Sequence, residues 1–107
     1  MASDAEVLVV DVRAVAKGYR LSKLIGYDVV NDRDEEIGTL DDLIIAKDAD
    51  AMFAVLQIGG FLRLGGRLIA IPFEQLDLRE TDDTLRIVLP GATRETLQEL
   101  PEFDYRS

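Results

Sequence analysis

Read for its alternation of apolar and polar positions, the chain divides into short extended runs separated by polar turns, with little helical periodicity. Met52–Ile58 is nearly continuously apolar, as expected of a strand covered on both faces, and is the candidate central strand. Leu68–Ile71 follows as its partner and stops at Pro72, which cannot donate to a ladder. Between them lies the stretch from Ile58 to Arg67, in which Gly59-Gly60 and Gly65-Gly66 enclose Phe61, Leu62, Arg63 and Leu64. Glycine pairs allow the chain to turn sharply. A surface loop is ordinarily polar, so Phe61, Leu62 and Leu64 need cover, either from their own domain or from another chain.

The remaining pattern fills in around this pair. Met1–Glu6 is small and polar and is expected to fray. Val10, Val12, Ala14 and Ala16 alternate with Asp11, Arg13, Val15 and Lys17, a period of two that predicts a half-buried extended arm, with an Ala-rich helical turn as the competing reading. Gly18–Leu21 reads as a short strand, and one helical turn fits between Ser22 as N-cap and Gly26 as the residue after the C-cap. Tyr27–Val30, a polar turn at Asn31–Asp34 and a run resuming at Ile37 predict a hairpin. The run continues to Ala46, with Asp41-Asp42 interrupting the alternation as a bulge or an exposed stretch, and turns at Lys47–Asp50. Phe73–Leu76 predicts a short helical turn. Thr81–Asp83 leads into a strand at Leu85–Leu89, ended by Pro90-Gly91. Thr93 caps a predicted helix from Arg94 to Leu100 whose Leu97 and Leu100 pack inward, and the aromatics of Glu102–Tyr105 form a docking tail.

Composition narrows what such a fold does. With 107 residues there is room for one core, and an apolar fraction of 48% suits a globular domain. The balance of 12 basic against 21 acidic residues, a net charge of −9, opposes binding to phosphate backbones, so no direct nucleic-acid contact is expected. Cysteine and histidine are both absent, which removes disulfides, thiolate metal sites, thiol nucleophiles, Ser-His-Asp triads and the usual proton shuttle at neutral pH. The expectation is therefore a protein without catalytic residues or cofactor. The apolar run Val7–Val10 is too short for a signal peptide or membrane span, so no membrane insertion is expected. The compartment is read as cytoplasmic by default, and as periplasmic if a leader has been trimmed.

Sharper readings of individual residues lose to plainer ones. Asp32, Asp34 and Glu36 alternate, but Ile37 and Leu43 stand where a calcium loop needs glycine and a bidentate glutamate, so a solvated turn is expected. Asp41 and Asp42 are neighbours in an extended run and point apart. Arg20 is expected to pair with a carboxylate, and Tyr19, Tyr27, Phe53 and Phe73 to lie in the core. The glycine pairs do not form a phosphate-binding fingerprint.

Taken in order, Gly18-Tyr19-Arg20, Ser22–Gly26, Asn31-Asp32, Ile37-Gly38, Asp41-Asp42, Phe53–Gln57 and Gly59–Leu62 closely resemble the PRC-barrel domain. Leu89–Thr93 with Pro101–Phe103 resembles the ending of one bacterial stand-alone branch. The resemblance spans roughly residues 9–105. It implies a small, strongly bent β-barrel like those of the photosynthetic reaction-centre H subunit and the C-terminus of a ribosome-maturation factor, where the domain docks on other proteins. It supplies no shared catalytic residue. Arg63 and Arg67 depart from the family's loop pattern, which has a small residue and often a histidine there.

The sequence thus predicts an all-β, PRC-barrel-like fold with a short C-terminal helix: an N-terminal arm over 1–17, the barrel over 18–90, and a helix and tail over 91–107. The expected role is a non-enzymatic adaptor that homodimerises, its protein partner otherwise unidentified. Phe61, Leu62, Arg63, Leu64, Arg67, Val10 and Val12 are the candidate interface. The alternatives are a small-ligand or stress-responsive carrier barrel and a ribosome- or RNA-processing-associated adaptor.

Overall fold

The computed structural model describes residues 6–59 and 66–106. Six strands form one sheet: β1 (Asp28–Val30), β2 (Glu36–Ile45), β3 (Met52–Ile58), β4 (Arg67–Pro72), β5 (Asp77–Thr81) and β6 (Thr84–Val88), in the spatial order β4-β3-β2-β1-β6-β5. The neighbours are antiparallel except β1 and β6, which run parallel with Val29 opposite Ile87. Three short helices, α1 (Val12–Ala16), α2 (Leu21–Leu24) and α3 (Arg94–Gln98), accompany the sheet.

Topology forces this sheet to curl. Laid flat, six strands would set the outer edges about 24 Å apart, at roughly 4.8 Å per spacing. Yet β4 at one edge leads into β5 at the other through only Phe73–Leu76, of which Phe73–Gln75 is a 3₁₀ turn. Even fully extended, that connector would reach only about 17 Å. The two edges are therefore drawn together at that end, and residues from distant strands share one core: Val29, Leu40, Ala54, Leu56, Ile69, Ile71 and Ile87 belong to a single buried cluster. Among the described residues β4 and β5 form no ladder with each other. The sheet is therefore strongly curled but, among the described residues, not closed into the expected barrel: a short connector links its two edges at one end, and no hydrogen bonds join them.

On β3, Ala54, Leu56 and Ile58 face this cluster, which places Val55 on the opposite face. Val55 is nonetheless buried. The C-terminal tail is anchored on either side of β3: Phe103 N–H donates to the Leu68 carbonyl on β4 at 2.7 Å, and Tyr105 Oη donates to Asp41 Oδ2 on β2 at 2.6 Å. Between those two anchors the tail crosses β3. The predicted docking of the tail aromatics is met, with Phe103 and Tyr105 edge to face at 5.1 Å between ring centres. The bulge appears as a register shift between Leu40 and Asp42.

Several expectations are corrected. The N-terminal arm is helical over Val12–Ala16, because Asp11 Oδ1 accepts from Arg13 N (3.0 Å) and Ala14 N (3.4 Å), and a helical turn satisfies its backbone locally where an extended arm has no partner strand. Nor is this arm half-buried, since Val12 is 72% exposed. Gly18–Leu21 is not a strand, again for want of a partner, and Arg20 rather than Ser22 is the N-cap of α2. Gly26 does follow the C-cap, at φ 96°. Tyr19 and Tyr27 are exposed, as is Arg20, which enters no ion pair among the described residues. β3 is interior but stands next to the edge, and its Gln57 is exposed. α3 ends at Gln98 instead of Leu100.

β5 escaped the sequence reading because Leu78 is its only apolar residue. Its signal lies in the following turn, where Asp82 and Asp83 both adopt positive φ (51° and 67°) between the paired Thr81 and Thr84. That is the geometry of a two-residue hairpin loop, which requires a strand on each side.

Candidate interaction surface

The two described ends of the glycine-rich stretch, Gly59 and Arg67, both lie beside the C-terminal end of α3. Gly59 takes φ 69°, and a Cβ there would come within 3.1 Å of Gln98 Nε2. At the other end the Arg67 guanidinium donates to the Gln98 carbonyl from Nη1 (2.8 Å) and to the Leu100 carbonyl from Nη2 (3.1 Å). The Gln98 carbonyl is among the acceptors that a helix end leaves unpaired, and a cation there also meets the negative end of the helix dipole. Arg67, expected at an interface, is thus engaged within its own chain. Phe61, Leu62, Arg63 and Leu64 lie outside the described residues. An open cleft of about 560 Å³ runs beside this corner, lined by Glu36–Thr39, Gln57–Gly59, Arg94 and Gln98.

α3 is fixed at its start by a capping box. Thr96 N–H donates to Thr93 Oγ1 at 3.0 Å, and Thr93 N–H donates to Thr96 Oγ1 at 2.9 Å. Arg94 Nε donates to the Glu36 carbonyl at 3.0 Å, tying the helix to β2. Beside that contact the Glu36 carboxyl is pushed above its ordinary range, chiefly by its hydrogen bond to Asp28 and then by the negative charge of Asp28, with Arg94 opposing.

The carboxylates of the hairpin turn are occupied by structure. Asp34 pairs with Arg86 on β6, and Asp32 Oδ1 accepts from Gly91 N at 3.3 Å. Beneath them Asn31 is the one buried polar residue among those described, 1% exposed. Its Nδ2 donates to Glu35 Oε1 (2.8 Å) and the Ala92 carbonyl (3.0 Å), and its Oδ1 accepts from Arg33 N (3.0 Å) and Glu35 N (2.9 Å). All four bonding positions of the amide are filled. Asn31 thereby holds the turn in shape and ties it to the approach of α3, a role the sequence did not reveal.

Asp41 and Asp42 do not converge on a common point. Asp41 accepts from Tyr105, whereas Asp42 Oδ1 accepts from Leu43 N at 2.8 Å. The Tyr105 hydroxyl is pushed well above the usual tyrosine range, first by desolvation local to that end of a side chain whose residue is 46% exposed, then by Asp41 and Asp42.

Among the described residues, the longest run of exposed apolar side chains is the N-terminal arm. Val7, Leu8, Val9 and Val10 are 97%, 78%, 97% and 59% exposed, and Val12 and Val15 continue the stripe onto α1. Val10 and Val12, both candidate interface residues, thus sit on a surface that no other described part of the chain covers. Soluble monomers rarely leave so contiguous a run uncovered.

The family model for the PRC-barrel domain matches residues 16–92, spanning β1 to β6, and the chain belongs to this family. No curated protein matches the sequence.

Proposed function

We infer that the chain is a non-enzymatic protein-interaction module that associates with itself. The observation that carries this reading is the exposed aliphatic arm, Val7–Val10 with Val12 and Val15, attached to a domain whose core is filled without it. Burying an aliphatic side chain removes on the order of 100 Å² of apolar surface from water and contributes about 1.5–3 kcal/mol. Six such side chains are a large driving force in a marginally stable domain. The non-catalytic half of the reading is supported by the lack of histidine and cysteine and by the divergence of Asp41 and Asp42 into structural bonds.

Sedimentation equilibrium from nanomolar to tens of micromolar protein tests this directly. A dimer is expected, weakened strongly by Val9→Asp with Val12→Asp. Those positions are exposed, so the substitutions should leave the monomer's melting within a few degrees. A chain that stays monomeric over the whole range overturns the reading.

A further inference from the structure

We propose that the arm acts by strand addition: Val7–Val10 of one copy pairs with the outer edge of β5 in a second copy, and the exchange is reciprocal. This rests on the self-association inferred above and specifies where it occurs.

Three observations select β5. The sheet has two edges, and they are not equivalent. On β4 the Leu68 carbonyl is already taken by Phe103, where the tail begins its crossing. On β5, among the described residues, no backbone hydrogen bond reaches Asp77–Thr81 from any element but β6, so a row of donors and acceptors faces outward. Such an edge is a template for an added strand.

The arm also has the right form. Val7–Val10 lies outside α1, carries no charge, and consists of strand-forming residues in a length close to that of β5. The segment that follows α1 is anchored beside that edge, since Tyr19 Oη donates to Glu80 Oε1 on β5 at 3.2 Å. When two β5 edges approach across a two-fold axis, the segment that leads back through α1 to each arm is fixed at that interface. Both halves of the contact are present in one chain, which is what an isologous interface requires.

Area points to a second copy, although charge does not favour it. Two arms with four aliphatic side chains each carry roughly 800 Å² of apolar surface and, with the surfaces they cover, remove roughly 1,600 Å² from water, above the roughly 1,200 Å² at which stable interfaces begin. Each copy carries −9, so long-range electrostatics oppose the contact, and backbone pairing and apolar burial must drive it.

Hydrogen exchange measured at low and high protein concentration, on the full chain, tests the mode alongside sedimentation. At tens of micromolar the amides of Val7–Val10 and of Asp77–Thr81 are both expected to exchange at least about 10-fold more slowly than in dilute protein. Val7→Asp with Val9→Asp should weaken the dimer at least about 100-fold and abolish both protections together. Raising salt from about 20 mM to about 500 mM should tighten the dimer by screening like charges. A dimer in which Asp77–Thr81 exchanges independently of concentration overturns strand addition while leaving self-association standing. A monomer at every concentration overturns both.

Discussion

Replacing Asn31 by alanine should be among the most damaging single changes in this domain, although the residue is polar and stands at the start of a turn. The substitution removes four side-chain hydrogen bonds, one of them to the Glu35 carboxylate. A typical bond contributes about 0.5–1.5 kcal/mol net, and a buried group left without a partner costs about 1–3 kcal/mol. Arg33 and Glu35 are exposed, so water can reach their amides, whereas the half-buried Ala92 carbonyl loses its partner. The expected loss is about 2–4 kcal/mol, which for a domain of this size lowers the melting temperature by roughly 10–20 °C. Urea unfolding followed by far-UV circular dichroism measures it, with an unchanged denaturant slope showing that stability alone has moved. Glu35→Gln is the control: the amide oxygen still accepts from Nδ2, so the loss should stay below about 1 kcal/mol. If Asn31→Ala costs under about 1 kcal/mol, or no more than Glu35→Gln, the account of Asn31 as the knot of this turn is wrong.

Three further outcomes are expected. Arg67→Ala should cost about 1–2 kcal/mol and raise exchange at the end of α3, with Arg67→Lys recovering only part because lysine has the charge but not the fork. Glu36→Gln should stabilise the chain slightly at pH 7, by up to about 0.5 kcal/mol given its exposure, and not at pH 4. The sign follows from the raised folded-state value: the folded chain holds that proton more tightly, so its contribution is full below the ordinary 4.5 and is lost as pH rises, leaving like charges at neutrality. Thermal melts at the two pH values check this. Tyr105→Phe should cost about 0.5–1.5 kcal/mol, and in the parent chain an alkaline absorbance titration should show the Tyr105 phenol ionising well above the ordinary 10, with the stability it contributes disappearing as pH rises beyond that value.

What the sequence disclosed follows from how local each cause is. The β1–β2 hairpin, the bulge at Asp41-Asp42, β3, β4, the 3₁₀ turn and the Thr93 cap are written in short windows where period, turn residues and caps agree. The arm was misread because Val10, Val12, Ala14 and Ala16 satisfy a strand pattern while an extended arm lacks a partner, and availability of a partner is not a local property. Charged β5 was invisible to hydrophobic patterning for the same reason: its identity as a strand depends on β6. At the candidate surface, Val10 and Val12 are more exposed than the half-buried arm that the alternation predicts, because no described neighbour covers them. Arg67 could not be assigned to α3 from sequence, since its acceptors lie 31 and 33 residues away. Asn31 looked like an ordinary turn residue because its contact with Ala92 spans 61 positions.

The parallel pairing of β1 with β6 has a consequence for how the chain is made. Val29 must wait for Ile87, 58 positions later, before the middle of the sheet can be joined. At roughly 5–20 residues per second of synthesis, that is an interval of about 3–12 s. Throughout it the β1–β2 hairpin has one edge open while the apolar arm, translated first, is already in solvent. The order of synthesis places the most adhesive segment in the open before the domain that carries it can close. Crowded polysomes would therefore favour contact between neighbouring nascent chains, and a co-translational capture experiment would find such contacts depleted when Val7 and Val9 are made acidic.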